Sequence, residues 1–204
     1  MSAMPGNDKG TPLVRVEGLA KRYPVVGARG DRLSALGRLL LGRAPRREVE
    51  VLSRIDLAIH RGESVGIVGE NGAGKSTLLK LITGTLTPSA GRVVSNARIG
   101  ALLELGAGFH PEYSGRDNVR MAAAIHGLSG DALAAKLPEI EAFAEIGRYF
   151  DEPVKHYSSG MVVRLGFAVI AATRPDLLIT DEVLAVGDER FQKKCVRWID
   201  GYLA

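Results

Sequence analysis

The chain has 204 residues, 46% hydrophobic and 25% charged, an ordinary composition for a folded domain able to bury a full core. It holds no apolar run of about 18 residues, which argues against a membrane-spanning helix, and the polar start Met1–Gly10 lacks the apolar stretch of a signal peptide. The net charge of +4 is local: residues 29–47 hold six arginines against Asp31, a local +5 that leaves the rest of the chain at −1, unlike the spread basic face of a nucleic-acid protein. Cys195 is the single cysteine, so no intramolecular disulfide can form, and its expected state is a half-buried helical thiol in a reducing cytoplasm.

In chain order, residues 1–12 read as a disordered lead. Leu13–Glu17 alternates as a strand, and Lys21-Arg22-Tyr23-Pro24 reads as a turn. Residues 27–50 interrupt the pattern: Leu33, Leu36 and Leu40, with Leu39 beside them, share one face of a possible helix whose remainder is largely arginine. Such a helix reads either as a membrane- or partner-contacting surface or as a solvated loop docked on its own domain. Val51–Ile59 is a second strand, Arg61–Glu63 a turn, and Ser64–Val68 an apolar run that reads as a buried strand. Helical spacing follows in Leu78–Ile82, then short strands at 92–94 and 99–103 and a glycine-rich loop at 105–115. Helices are predicted at 118–126, 131–146 and 158–173, the last stopped before Pro175. Leu177–Glu182 reads as a buried strand ending in two carboxylates, and Glu189–Leu203 as a final helix.

The chain is organised around Gly69-Glu70-Asn71-Gly72-Ala73-Gly74-Lys75-Ser76-Thr77. The pattern G-x-x-x-x-G-K-[ST], entered from an apolar run and leaving into a helix, is that of a phosphate loop. Gly69, Gly72 and Gly74 let the backbone curl so that its N–H groups point at an anionic phosphate chain. The helix N-terminus adds partial positive charge, Lys75 a point charge for the β- and γ-phosphates, and Ser76 a hard oxygen for Mg²⁺.

Asp181 and Glu182 follow about a hundred residues later. An aspartate at a strand end can hold Mg²⁺, usually through water, and the glutamate beside it can orient or deprotonate an attacking water. Tyr157-Ser158-Ser159-Gly160-Met161 opens the long apolar helix. Taken alone, Ser158 or Ser159 is an N-cap.

The order of these motifs resembles the nucleotide-binding domain of ABC transporter ATPases. Tyr157–Met161 lies where that family has its signature, usually Leu-Ser-Gly-Gly-Gln. Ser158 and Gly160 match, whereas Tyr157, Ser159 and Met161 are not the common residues. The form Tyr-Ser-Ser-Gly-Met looks like one branch, the ATPases of O-antigen, capsule and teichoic-acid exporters. Tyr23 matches the aromatic that stacks on adenine. Residues 102–112 resemble that branch's Q-loop, with Glu104 where glutamine is usual. Glu104 then either acts beside the metal and γ-phosphate or pairs away from the nucleotide. Asp188 matches the D-loop aspartate, and the 27–50 insertion resembles a segment lying against the transmembrane partner.

The resemblance covers about residues 13–204. It implies an α/β fold, a P-loop NTPase core of the ABC ATPase kind with an antiparallel β subdomain and an inserted helical subdomain at about 112–173. Its cofactors are ATP and Mg²⁺, with Ser76 and Asp181 as metal ligands and Glu182 as catalytic base. Its partners are a second copy of the chain, in a head-to-tail sandwich where Ser158, Ser159 and Gly160 meet the ATP on the other copy, and the transmembrane permease of a polysaccharide exporter. No nucleic-acid partner is implied. The place is peripheral, at the cytoplasmic face of the inner membrane, and the task is export of a lipid-linked polysaccharide. The family's switch histidine follows the Walker B glutamate on a later strand, but the sequence stops 22 residues after Glu182. The expectation is therefore a cassette missing its final core strands, one that binds ATP weakly and hydrolyses it poorly. The alternatives are a non-catalytic nucleotide-binding fragment and a soluble ABC-type ATPase not coupled to transport.

Overall fold

A computed structural model describes residues 10–25, 48–103, 105–180 and 188–203. Residues 1–9, most of the 27–50 insertion, Glu104, Asp181 and Glu182 lie outside the described residues. The chain divides into two compact units, Met1–Asn96 and Ala97–Ala204.

The first unit is built on a three-stranded antiparallel sheet, β1 (Val14–Pro24), β2 (Glu48–Ile59) and β3 (Ala90–Ser95), in the order β2-β1-β3. Val14, Val16 and Leu19 on β1 and Leu52 and Ile59 on β2 are buried. Helix α1 (Lys75–Ile82) buries Leu78, Leu81 and Ile82, the face that its apolar spacing anticipates.

Two expectations for this unit fail. Lys21–Pro24 is not a turn: it continues β1 and pairs with β2 as far as Pro24 opposite Glu48. Cross-strand pairing of Tyr23 with Val49 carries the strand to the proline, which ends it because it has no N–H to donate. Nor is Ser64–Val68 a buried strand. The run enters no ladder among the described residues, and Val65 and Val68 are 47% and 96% exposed. An apolar run becomes a strand only where neighbours take up its N–H and C=O groups.

The second unit pairs β4 (Ile99–Ala101) in parallel with β5 (Leu177–Ile179), so only the first half of the expected 177–182 strand is in a described ladder. Its helices are α2 (Gly115–Ile125), α3 (Gly130–Ala144), α4 (Ser159–Thr173) and α5 (Glu189–Leu203), with two 3-10 turns, Gly147–Asp151 and Val154–His156, ahead of α4. Past Arg164, helix α4 is apolar on nearly every face because it is packed on two sides. Leu165, Ala168, Val169 and Ala172 meet Val119, Ile140 and Phe150, while Phe167, Ile170 and Ala171 meet Leu102, Phe191 and Cys195. Cys195 is fully within this second cluster rather than half-buried. Among the described residues no helix is long and apolar enough to cross a membrane.

Candidate functional site

In the first unit, residues 69–77 form a curled loop running into α1. Gly72 and Gly74 have φ of 86° and 92°, left-handed values that side-chain-bearing residues adopt only at a cost. The curl is closed by the Ala73 N–H, which donates to the Glu70 carbonyl (3.1 Å), and by Lys75, whose Nζ donates to the carbonyls of Gly69 (2.7 Å) and Glu70 (3.0 Å). The lysine thus arches over its own loop. The first intrahelical bond, Leu78 N–H to Gly74 O, is 2.9 Å, and Gly74 offers no side-chain cap. No acidic residue stands in the first turn of α1 to compete for the partial positive charge there. Glu70, Asn71, Gly72, Ala73 and Ser76 are exposed around this concave backbone, and Thr77 is half-buried. A glycine-bearing loop that enters a helix N-terminus free of acidic residues, with the Lys75 ammonium over it, fits an anion such as a polyphosphate. The exposed Ser76 beside it is a hard-oxygen donor suited to Mg²⁺.

Sheet and loop meet at β2. Lys21 pairs with Leu52 and Arg22 with Glu50, which leaves Val51 as a bulge between them. A Cβ on Gly74 would stand 2.9 Å from Leu52 Cδ2 and 3.1 Å from the Val51 carbonyl oxygen, so the loop backbone lies directly on that bulge. Tyr23 pairs with Val49, two residues along the same strand, a separation of about 7 Å. Tyr23 is 39% exposed. A surface aromatic and the phosphate loop therefore flank one short stretch of β2, within the length of a single nucleotide.

The second unit holds Ser158, Ser159, Gly160 and Asp188. Ser158 is the N-cap of α4, its Oγ accepting from the Met161 N–H (3.3 Å), so the capping role read from the sequence is realised. Ser159 and Gly160 open the helix, and space above Gly160 is open apart from Ser158 Oγ. Asp188 caps α5: Oδ1 accepts from the Phe191 N–H (2.8 Å), and Oδ2 pairs with Arg164 of α4. The Phe191 N–H and the Arg164 charge hold this carboxyl below the usual aspartate range. Arg164 also lies 3.9 Å from Glu145 and 4.8 Å over the Phe191 ring, and Glu145 is held low by Lys194 at 2.7 Å. The helix begun by Ser158 and the segment entering α5 at Asp188 are thereby joined by an ion-pair chain.

Sequence reasoning had not singled out Arg164, Glu145 or Lys194, whose partners are 19 to 49 residues apart. It also passed over Asn118. That buried amide accepts from the His110 N–H (2.6 Å) and donates to the carbonyls of His110, Tyr113 and Ser114. The same loop is stitched to the segment before Ser158 by Val154 N–H to Tyr113 O (3.0 Å) and by Lys155 Nζ to Glu112 (2.7 Å). A lone asparagine in a helix is not legible as such an organiser without its partners.

Comparison with known proteins adds the following. The family model described as ABC transporter matches residues 52–185. The chain is 48% identical over 184 residues to the ABC transporter protein AbcA of Aeromonas salmonicida, covering 90% of this chain and 59% of that protein. It is 52% identical over 164 residues to the O-antigen export system ATP-binding protein RfbB of Myxococcus xanthus, covering 79% of this chain and 38% of that one. The chain thus spans about half the length of these relatives. Among solved structures, a dimeric ATP-binding cassette in a post-hydrolysis state with ADP and phosphate matches with a TM-score of 0.69 at 19% identity. The match covers 93% of this chain and 82% of the cassette.

Proposed function

The chain belongs to the ABC transporter family, and on that premise we propose that it is the ATP-binding, ATP-hydrolysing part of an exporter that moves a lipid-linked polysaccharide across the inner membrane. The observation that carries the nucleotide site is the placement of Tyr23 and the Gly74 backbone on neighbouring positions of β2. The name of the Myxococcus relative supports the class of cargo.

In this reading Tyr23 stacks on the adenine. Gly69, Glu70, Asn71, Gly72, Ala73 and Gly74 wrap the phosphates with backbone N–H groups, assisted by Thr77, and Lys75 turns its ammonium from the Gly69 and Glu70 carbonyls to the β- and γ-phosphates. Ser76 and Asp181 would hold Mg²⁺, which would supply positive charge to offset the negative charge of the phosphates. Glu182 takes the proton of a water adding in line to the γ-phosphorus as the bond from that phosphorus to the β–γ bridging oxygen breaks, giving phosphate and ADP. Ser158, Ser159 and Gly160 of a second copy complete the site over the γ-phosphate, with Asp188 at the seam and Glu104 at the Q-loop position. The 27–50 insertion lies against a transmembrane permease, and the chain is peripheral at the cytoplasmic face of the membrane.

Calorimetry with Mg·ATP tests the site. Lys75→Ala is expected to abolish tight binding, and equal affinity in variant and parent would overturn the assignment. Glu182→Gln is expected to keep binding while slowing single-turnover hydrolysis, and an unchanged rate would move the base elsewhere.

A further inference from the structure

Lys21 is half-buried and its ammonium is held at two points. It donates a 2.7 Å hydrogen bond to the Thr87 carbonyl, and it lies 5.1 Å from the centroid of the Tyr23 ring. Its neighbour Arg22 is committed elsewhere, to Glu50 across the ladder at 2.8 Å. The strand end is fixed by further bonds to the same loop: Ser89 N–H to Ala20 O at 2.9 Å, and Arg22 N–H to Ser89 Oγ at 3.0 Å. Thr87 and Ser89 lie on the connection from α1 to β3, so the tether runs from the helix that opens at the phosphate loop to the aromatic on β1.

A tyrosine at the exposed end of a strand can rotate about its side-chain bonds. Stacking a base on it then costs the entropy of fixing the ring. A cation against the ring's electron-rich face is attracted by its quadrupole. Because Lys21 is itself pinned by Thr87, that attraction holds the ring in place and leaves its other surface for a ligand. We propose that Lys21 is a positioning residue for the nucleobase: it pre-sets Tyr23 as the stacking platform and makes no contribution to gripping the triphosphate. The inference rests on the reading of Tyr23 as the base platform.

The experiment is calorimetric titration of the full chain with Mg·ATP and, separately, with magnesium tripolyphosphate, which lacks base and sugar. Lys21→Met is expected to weaken ATP binding about two- to fivefold, the range of an exposed cation–π contact. It should leave tripolyphosphate affinity at the parent value, which also reports an intact loop. Lys21→Arg is expected to restore ATP affinity. Unchanged ATP affinity in Lys21→Met, or an equal loss for both ligands, overturns the proposal: the first removes the effect and the second makes Lys21 a support of the phosphate loop. Tyr23→Ala separates the premise. If it too leaves ATP affinity unchanged while Lys75→Ala abolishes binding, the platform reading falls and takes the proposal with it. If Tyr23→Ala weakens ATP binding and Lys21→Met does not, only the role of Lys21 falls.

Discussion

The Tyr157 hydroxyl occupies the space that any side chain at Gly115 would need: a Cβ there would stand 2.1 Å from that oxygen. The hydroxyl donates to the Tyr149 carbonyl, and the two tyrosine rings meet edge to face at 6.4 Å. Tyr157, the residue just before the Ser158 cap, is thus a tie between the start of α2 and the 3-10 turn at 147–151. By sequence it is only a departure from the family's usual signature. In the fold it is matched by a glycine 42 residues earlier.

The tie predicts a specific pairing of substitutions. Gly115→Ala should destabilise the chain by about 1–3 kcal/mol, the range for overpacking a filled site. Tyr157→Phe removes that oxygen, the severest clash, and leaves the Phe150 carbonyl oxygen at 3.0 Å and Tyr157 Cζ at 3.2 Å from the added Cβ. The double variant should therefore lose less than the sum of the single losses in urea denaturation. Simple additivity would mean that the alanine is accommodated by backbone movement instead.

The same hydroxyl gives a pH dependence. Burial pushes Tyr157 from its ordinary value of 10 up to about 12, against a hydrogen bond from the Gly115 backbone. The folded state therefore favours the neutral phenol. This contribution is complete below pH 10 and fades as the pH rises toward 12, because only the unfolded chain ionises freely there. The parent should lose more stability between pH 10 and 12 than Tyr157→Phe does. Equal losses in paired denaturation curves would place the titration on other groups.

What was legible in the sequence was whatever is carried by local spacing. The curled glycine loop at 69–77, the Ser158 cap and the span of α5 all depend on residues within one or two turns of each other. Lys21–Pro24 was misread because proline signals a turn, while the pairing that keeps the segment in β1 comes from Glu48 and Val49 across a long excursion. Ser64–Val68 was misread because hydrophobicity states a capacity for burial, and a ladder needs partners. The ion-pair chain from Lys194 through Glu145 and Arg164 to Asp188 joins four positions that no period links.

Cys195 offers a probe of the packing between α4 and α5. It lies in a cluster with Phe167 and Phe191, and burial pushes its thiol up to about 12 from an ordinary value near 9. The thiolate is the reactive form. The folded chain should react slowly with an aromatic disulfide reagent at pH 8 and rapidly after denaturation. This group's stabilising share is intact below pH 9 and declines from there toward 12, since the folded value is the higher one. Fast labelling of the native chain would show that α5 is not docked through Phe191.

Gly72 and Gly74 separate two costs at the phosphate loop. Both have left-handed φ, so an alanine at either carries a backbone penalty of about 1–2 kcal/mol. Nothing lies within 4 Å of a Cβ at Gly72, so Gly72→Ala should show that penalty and little else. At Gly74 the added methyl would also press on Leu52 and on the Val51 carbonyl, which sits at a bulge. The loop would then be lifted from β2 and the proposed phosphate site moved relative to Tyr23. Gly74→Ala should therefore lower Mg·ATP affinity on the order of tenfold beyond Gly72→Ala, about 1.4 kcal/mol, and lower the melting temperature further. Calorimetry and thermal melts on the two variants measure both effects. Matching affinities would mean that the 69–77 loop does not depend on its seat against Val51 and Leu52, and the proposed use of one stretch of β2 by both base and phosphates would lose its physical basis.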